Sequence, residues 1–180
     1  MDKRKFLIVA IYVGLQSFLL QLVDQLVGHR LADGGTRGFV FIAFQAWALY
    51  FLLGNTVKGA IKGFCGYVLG IAFAVVMLAL AGVFSWMGIL AVPVTALIVV
   101  PFMMYFEFAP WCISNVATFF VGAGAYYGIL NYVEEVSEVQ AAGIVILYCI
   151  FGLASGYMTI LFRSAYEKRM EGLEVKEEGK

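Results

Sequence analysis

Between Pro110 and Gly128 the chain reads PWCISNVATFFVGAGAYYG, with no charged side chain and with small residues at Ser114, Gly122, Gly124 and Gly128. A proline pre-sets the first turn of a helix, but a helix so loaded with glycine is poor in water. In a bilayer the same glycines let neighbouring backbones approach closely. The stretch therefore constrains the whole chain: it is stable as a helix only among other helices in lipid. Asn115 and Thr118 are its polar side chains.

The rest of the sequence agrees. Of 180 residues, 63% are hydrophobic and 13% charged, and the mean hydropathy is +0.91. A soluble domain of this size needs far more polar surface, so an all-α polytopic membrane bundle is expected, with the lipid bilayer as its main partner. The formal net charge of zero gives no reason to invoke nucleic acid. Cys65, Cys112 and Cys149 fall inside apolar stretches without a CxxC or Cys/His cluster, which argues against a disulfide framework and a metal site. The apolar run behind Lys3-Arg4-Lys5 is too long for a cleaved signal peptide and reads as a retained first span.

Six transmembrane helices are expected, at about 6–28, 39–54, 64–86, 89–108, 110–130 and 141–162. Together they form one transmembrane domain over 1–163, followed by a charged cytoplasmic tail, 164–180, that continues the last helix into water. Pro93 and Pro101 predict a kink or local unwinding in the fourth span. With six spans, the N-terminus, the link holding Lys58 and Lys62, and the C-terminus share one side and carry 10 of the 12 basic residues. The positive-inside bias then puts both termini in the cytoplasm. Aligning LYFLLG (Leu49–Gly54) with ATFFVG (Ala117–Gly122) suggests a 3+3 inverted repeat. The alternative is a chance match in a chain rich in Phe and Gly.

Polar residues inside the spans are the candidate site. Ser17, Gln21, Asp24 and Gly28 are spaced to share one face of the first span, and lipid is a bad solvent for that face. Asp24 then attracts a cation, relays a proton or hydrogen-bonds a solute in a wet pathway. Otherwise it is an interfacial acid, solvated or paired with Arg30. Gln45, Asn115, Thr95 and Thr159 either line that pathway or join helices by hydrogen bonds. Glu107 forms an inner vestibule or is an interfacial acid at a helix end. Gly66, Gly70, Gly122, Gly152 and Gly156 are expected at helix-packing faces. His29 is the single histidine, and its polar loop suggests a solvated side chain.

Three segments carry a family resemblance: Trp47–Leu80, Pro110–Gly128, and Gly152–Gly156 with its basic exit. In their glycine and aromatic positions they resemble the DUF1097 family of small bacterial and archaeal inner-membrane proteins. The resemblance implies a multi-pass fold in the cytoplasmic membrane and carries over no functional residue. The charged tail is longer, and the first span more polar, than the family pattern suggests.

Two functions remain in view. One is a channel or transporter for a small polar solute (neutral, weakly cationic or a protonated acid), expected as a homo-oligomer. The other is a non-catalytic accessory or scaffold subunit of a larger membrane assembly. No nucleophile–base constellation or metal-ligand spacing supports an enzyme, so neither catalytic residues nor cofactors are expected.

Overall fold

The computed structural model describes residues 3–32 and 38–178, and every regular element among them is helical. Six α-helices follow in order: α1 (Lys3–Val27), α2 (Val40–Leu52), α3 (Val57–Val83), α4 (Ala91–Met104), α5 (Val116–Tyr132) and α6 (Glu138–Glu178). Short 3-10 segments extend α1 at Gly28–Arg30, precede α4 at Ser85–Leu90 and follow it at Tyr105–Phe108.

Four of these units are long and apolar enough to cross a membrane: Phe6–Val27, Val57–Val83, Ser85–Phe108 and Glu138–Met170. The other two are shorter. At 1.5 Å per residue, α2 with 13 residues and α5 with 17 are about 20 and 26 Å long, below the ~30 Å hydrocarbon thickness.

Helix ends differ from the sequence expectation where a local cap competes with hydropathy. The third helix starts at Val57 rather than near residue 64, because Thr56 Oγ1 accepts the Gly59 N–H at 3.0 Å. Lys58 and Lys62 thus lie in the first turns of α3 instead of in a loop. The turn before it needs two left-handed residues, and Gly54 (φ 91°) with Asn55 (φ 59°) supply them.

Pro110 does not begin the fifth helix. Asn115 does, through its side-chain oxygen on the Thr118 N–H at 3.3 Å, while the Thr118 hydroxyl donates back to the Asn115 carbonyl at 2.6 Å. Asn115→Ala should therefore lower stability by about 1 kcal/mol in a detergent melt, with Asn115→Asp close to wild type. Equal stability of the alanine variant would contradict the cap.

The sixth helix opens at a capping box. Ser137 Oγ accepts the Gln140 N–H at 3.2 Å, and Gln140 Oε1 accepts the Ser137 N–H at 3.2 Å. It then runs unbroken through the tail to Glu178. Of the fourth span's two prolines, Pro93 falls in the first turn of α4, where its missing N–H costs nothing. Only Pro101 lies inside the helix, just before it tightens into the 3-10 turn at Tyr105.

The helices pack in two close pairs, α2 on α6 and α3 on α5. Glycines make both pairs. A Cβ on Gly152 would overlap the Ala43 carbonyl oxygen, and one on Gly156 would press into the Tyr50 ring. In the other pair, a Cβ on Gly70 would overlap the Phe119 carbonyl oxygen, Gly66 lies on the Thr118 side chain, and Gly122 lies against the Tyr67 backbone. The core fills the space among α2, α3, α5 and α6 with Tyr50, Tyr67, Tyr126, Ile42, Val145 and their neighbours. A second cluster, Phe73, Val99, Met103, Val116 and Phe119, holds α4 to α3 and α5. Helix α1 stands at the edge, touching chiefly α6.

Candidate functional site

The inward positions of α1 and its 3-10 extension are Val9, Gln16, Asp24 and Gly28. The last three fall at four-residue multiples and form a seam along one side of the helix. Facing them on α6 are Tyr148, Ser155 and Thr159, all buried. The α1–α6 contact is therefore made largely by polar side chains, unlike the glycine-packed pairs beside it.

Two clusters divide the seam. In the first, Asp24 is 1% exposed. Its Oδ1 accepts the Phe39 N–H at 2.9 Å and a short hydrogen bond from the Tyr148 hydroxyl. Phe39 immediately precedes α2, so the carboxylate lies at a helix N-terminus, where partial positive charge favours it. The Phe39 ring also meets the Tyr148 ring edge-on, with centroids 5.9 Å apart. Gly28 and Gly38 leave room for the carboxylate: a Cβ at Gly38 would overlap Oδ2, and one at Gly28 would come within 3.0 Å of Oδ1. Oδ2 is buried and finds no hydrogen-bond partner among the described residues.

In the second cluster, the Thr159 hydroxyl donates to Gln16 Oε1 at 2.8 Å, and Gln16 Nε2 donates to the Ser155 carbonyl at 3.4 Å. Tyr12 stacks on Phe162 with ring centroids 3.9 Å apart, beyond this cluster toward the N-terminal end of α1.

An unmatched carboxylate oxygen inside a bundle is costly, so its neighbours matter. Tyr148→Phe should destabilise the protein by roughly 1–3 kcal/mol, because it leaves Asp24 with one donor. Tyr67→Phe should cost little or nothing, since the Tyr67 hydroxyl is buried without a partner among the described residues. Detergent melts of the two variants check this contrast, and equal losses would contradict it.

The expected pathway residues are not gathered in one place. Asp24 is in the seam. It is not an interfacial acid in solvent, because Gly28, Gly38, Phe39 and Tyr148 enclose it. Ser17 is half-buried and donates to the Val13 carbonyl at 2.9 Å, while Gln21 points outward. Gln45 lies in a groove of about 390 Å³ between α2 and α5, with Ala48, Phe120 and Gly124. Asn115 caps α5 and does not face Asp24 across a pathway. Glu107 is exposed beside Pro101, Met104, Tyr105 and Phe108. Thr95 donates to the Val92 carbonyl of its own helix at 2.8 Å. The His29 side chain lies outside the described residues. Gln16, Tyr148 and Ser155 join the site only through the structure. Their sequence signal was the eight-residue step from Gln16 to Asp24 and the i, i+7, i+11 run on α6.

Trp47 Nε1 and the Tyr126 hydroxyl are further buried polar atoms without partners among the described residues. No group of three His, Cys, Asp or Glu side chains converges among those residues to suit a metal ion.

Long apolar helices, glycine-mediated close packing and polar contacts concentrated at one helix seam define a multi-pass α-helical membrane protein. Within that class the chain belongs to the DUF1097 family, proteins of unknown function, whose sequence pattern matches residues 7–163. No curated protein and no solved structure matches it.

Proposed function

We propose that this protein transports a small polar solute (neutral, weakly cationic or a protonated acid) along the α1–α6 seam, with Asp24 as the residue that recognises it. The buried carboxylate, whose Oδ2 has no partner among the described residues, carries this reading. Ionisable groups inside membrane bundles are retained at a cost, and they mark solute or ion pathways. The seam is closed at Asp24, so passage requires α1 to part from α6. A gated transporter therefore fits better than an open channel.

Six spans in a 3+3 inverted repeat suit such a motion. Exchanging α1–α3 with α4–α6 turns the α2–α6 pair into α5–α3 and the α1–α6 contact into α4–α3, and all four contacts exist. The two short helices, α2 and α5, then hold equivalent places in the halves, a pattern that points to a site at the repeat interface. The Gly54–Gly122 alignment is the wrong register for this symmetry. Gly54 terminates α2, whereas Gly122 packs mid-helix against Tyr67. In this reading the termini are cytoplasmic, the membrane is the inner one, Gln45 lines a side groove at the pseudo-twofold axis, and neither catalysis nor a cofactor is involved.

The test is solute flux into proteoliposomes, with small neutral, cationic and acidic compounds, with and without a proton gradient. Saturable, selective flux is expected. A second reading, an accessory subunit, draws on α6, which continues helically about 16 residues past the expected end of its span and offers a partner a rigid arm. Absence of flux from folded, inserted protein, together with a stoichiometric co-purifying partner, would favour it.

A further inference from the structure

Helix α1 is the least covered of the four long apolar helices: 11% of its apolar window is buried, against 50% for α6. Its open side is patterned. Leu7, Ile11, Gly14, Phe18, Gln21 and Gln25 follow alternating steps of four and three residues, the spacing that keeps one helix face against a partner helix. All six are exposed, Ile11 at 62% and Phe18 at 60%, and nothing lies within reach of a Cβ on Gly14. The face lies nearly opposite the seam that meets α6.

Hydrocarbon covers leucine, isoleucine and phenylalanine at no cost, but it offers nothing to Gln21, roughly two turns inside the end of the span. We propose that this face is a homodimer seam and that its occupant is α1 of a second copy. Copies inserted in one membrane share an orientation, so a twofold axis along the membrane normal brings the two α1 helices together in parallel. Gln21 then stands opposite Gln21 of the partner subunit. A primary amide both donates and accepts, so the pair is self-complementary: each carbonyl takes the other's N–H. Gly14, seven residues earlier on the same face, lets the backbones approach closely.

Lipid alone accounts for the apolar members of the face but not for two amides in register with them. The other surface grooves carry less. The α3–α6 groove of about 530 Å³ is lined almost wholly by apolar side chains, which acyl chains satisfy. The α2–α5 groove presents the single amide of Gln45. The inference stands apart from transport, because dimerisation is read without any solute.

The experiment has two arms. In full-length protein with Cys65, Cys112 and Cys149 changed to alanine, single cysteines are introduced and oxidised in native membrane vesicles. Gly14→Cys and Phe18→Cys should form disulfide-linked dimers. Leu19→Cys and Val23→Cys, exposed but off the seam, should not. In the wild-type background, sedimentation equilibrium in density-matched detergent should show a dimer. Gln21→Leu should raise its dissociation constant roughly threefold to thirtyfold, and Gln45→Leu should leave it unchanged. A monomer at all concentrations, cross-links that ignore the seam, or dissociation by Gln45→Leu but not Gln21→Leu would each overturn the proposal.

Discussion

Gly152→Ala is expected to destabilise the protein by at least ~3 kcal/mol, while Gly143→Ala on the same helix is neutral or slightly stabilising. The substitution is identical and only the surroundings differ. A Cβ at Gly152 overlaps the Ala43 carbonyl oxygen and presses on the Ala46 methyl, so α2 and α6 must separate along their whole contact. Overpacking of this kind typically costs 1–3 kcal/mol, and backbone cannot swing aside as a side-chain tip does. At Gly143 nothing lies within 4 Å of the added methyl, and alanine is the better helix former by about 1 kcal/mol. Gly70→Ala should resemble Gly152→Ala, because its Cβ meets the Phe119 carbonyl oxygen in the other pair. Thermal melts in detergent decide the matter. Equal behaviour at Gly143 and Gly152 would show that the glycines do not set the packing.

Asp24 carries the second large effect, which separates folding from function. Asp24→Asn keeps an oxygen for the Phe39 N–H and the Tyr148 hydroxyl, so the fold and most of the stability should remain. Only the charge is lost, and flux of a solute recognised by that carboxylate should fall by roughly tenfold or more, the usual scale for a hydrogen bond to a charged group. Asp24→Leu removes the acceptor and leaves the Phe39 N–H and the Tyr148 hydroxyl without their described partner. It should be destabilised by several kcal/mol, since each orphaned buried donor costs about 1–3 kcal/mol. Should Asp24→Leu prove as stable as wild type, the carboxylate would not be the joint between α1, α2 and α6 that the geometry makes it.

Hydropathy and glycine spacing make the helical bundle legible in the amino-acid sequence. The uncharged runs mark where helices have to be, and Gly66, Gly70, Gly122, Gly152 and Gly156 lie at close interhelical approaches. Helix ends are less legible, because single hydrogen bonds decide them. Thr56 and Asn115 each hold an N–H of the following turn and outweigh the polarity of Lys58 or the helix-starting tendency of Pro110. The face of α1 is the hardest to read. In water the exposed side of a helix is polar and the buried side apolar, but in lipid both are apolar and a polar stripe loses its direction. Gln21 sits one residue from the half-buried Leu20, and that step of about 100° separates the inward side from the outward face. Beyond its place in the i, i+7, i+11 run on α6, Tyr148 carries little signal, since a tyrosine in a membrane chain reads as an interfacial aromatic until a carboxylate is found beside it.

Transport along the α1–α6 seam is tested most directly by flux into proteoliposomes, with wild type and Asp24→Asn measured side by side at matched insertion and melting temperature. Saturable wild-type flux of a small polar solute that falls roughly tenfold or more in Asp24→Asn is the predicted result. Equal flux in the two proteins, or none in either across neutral, cationic and acidic solutes, would contradict it.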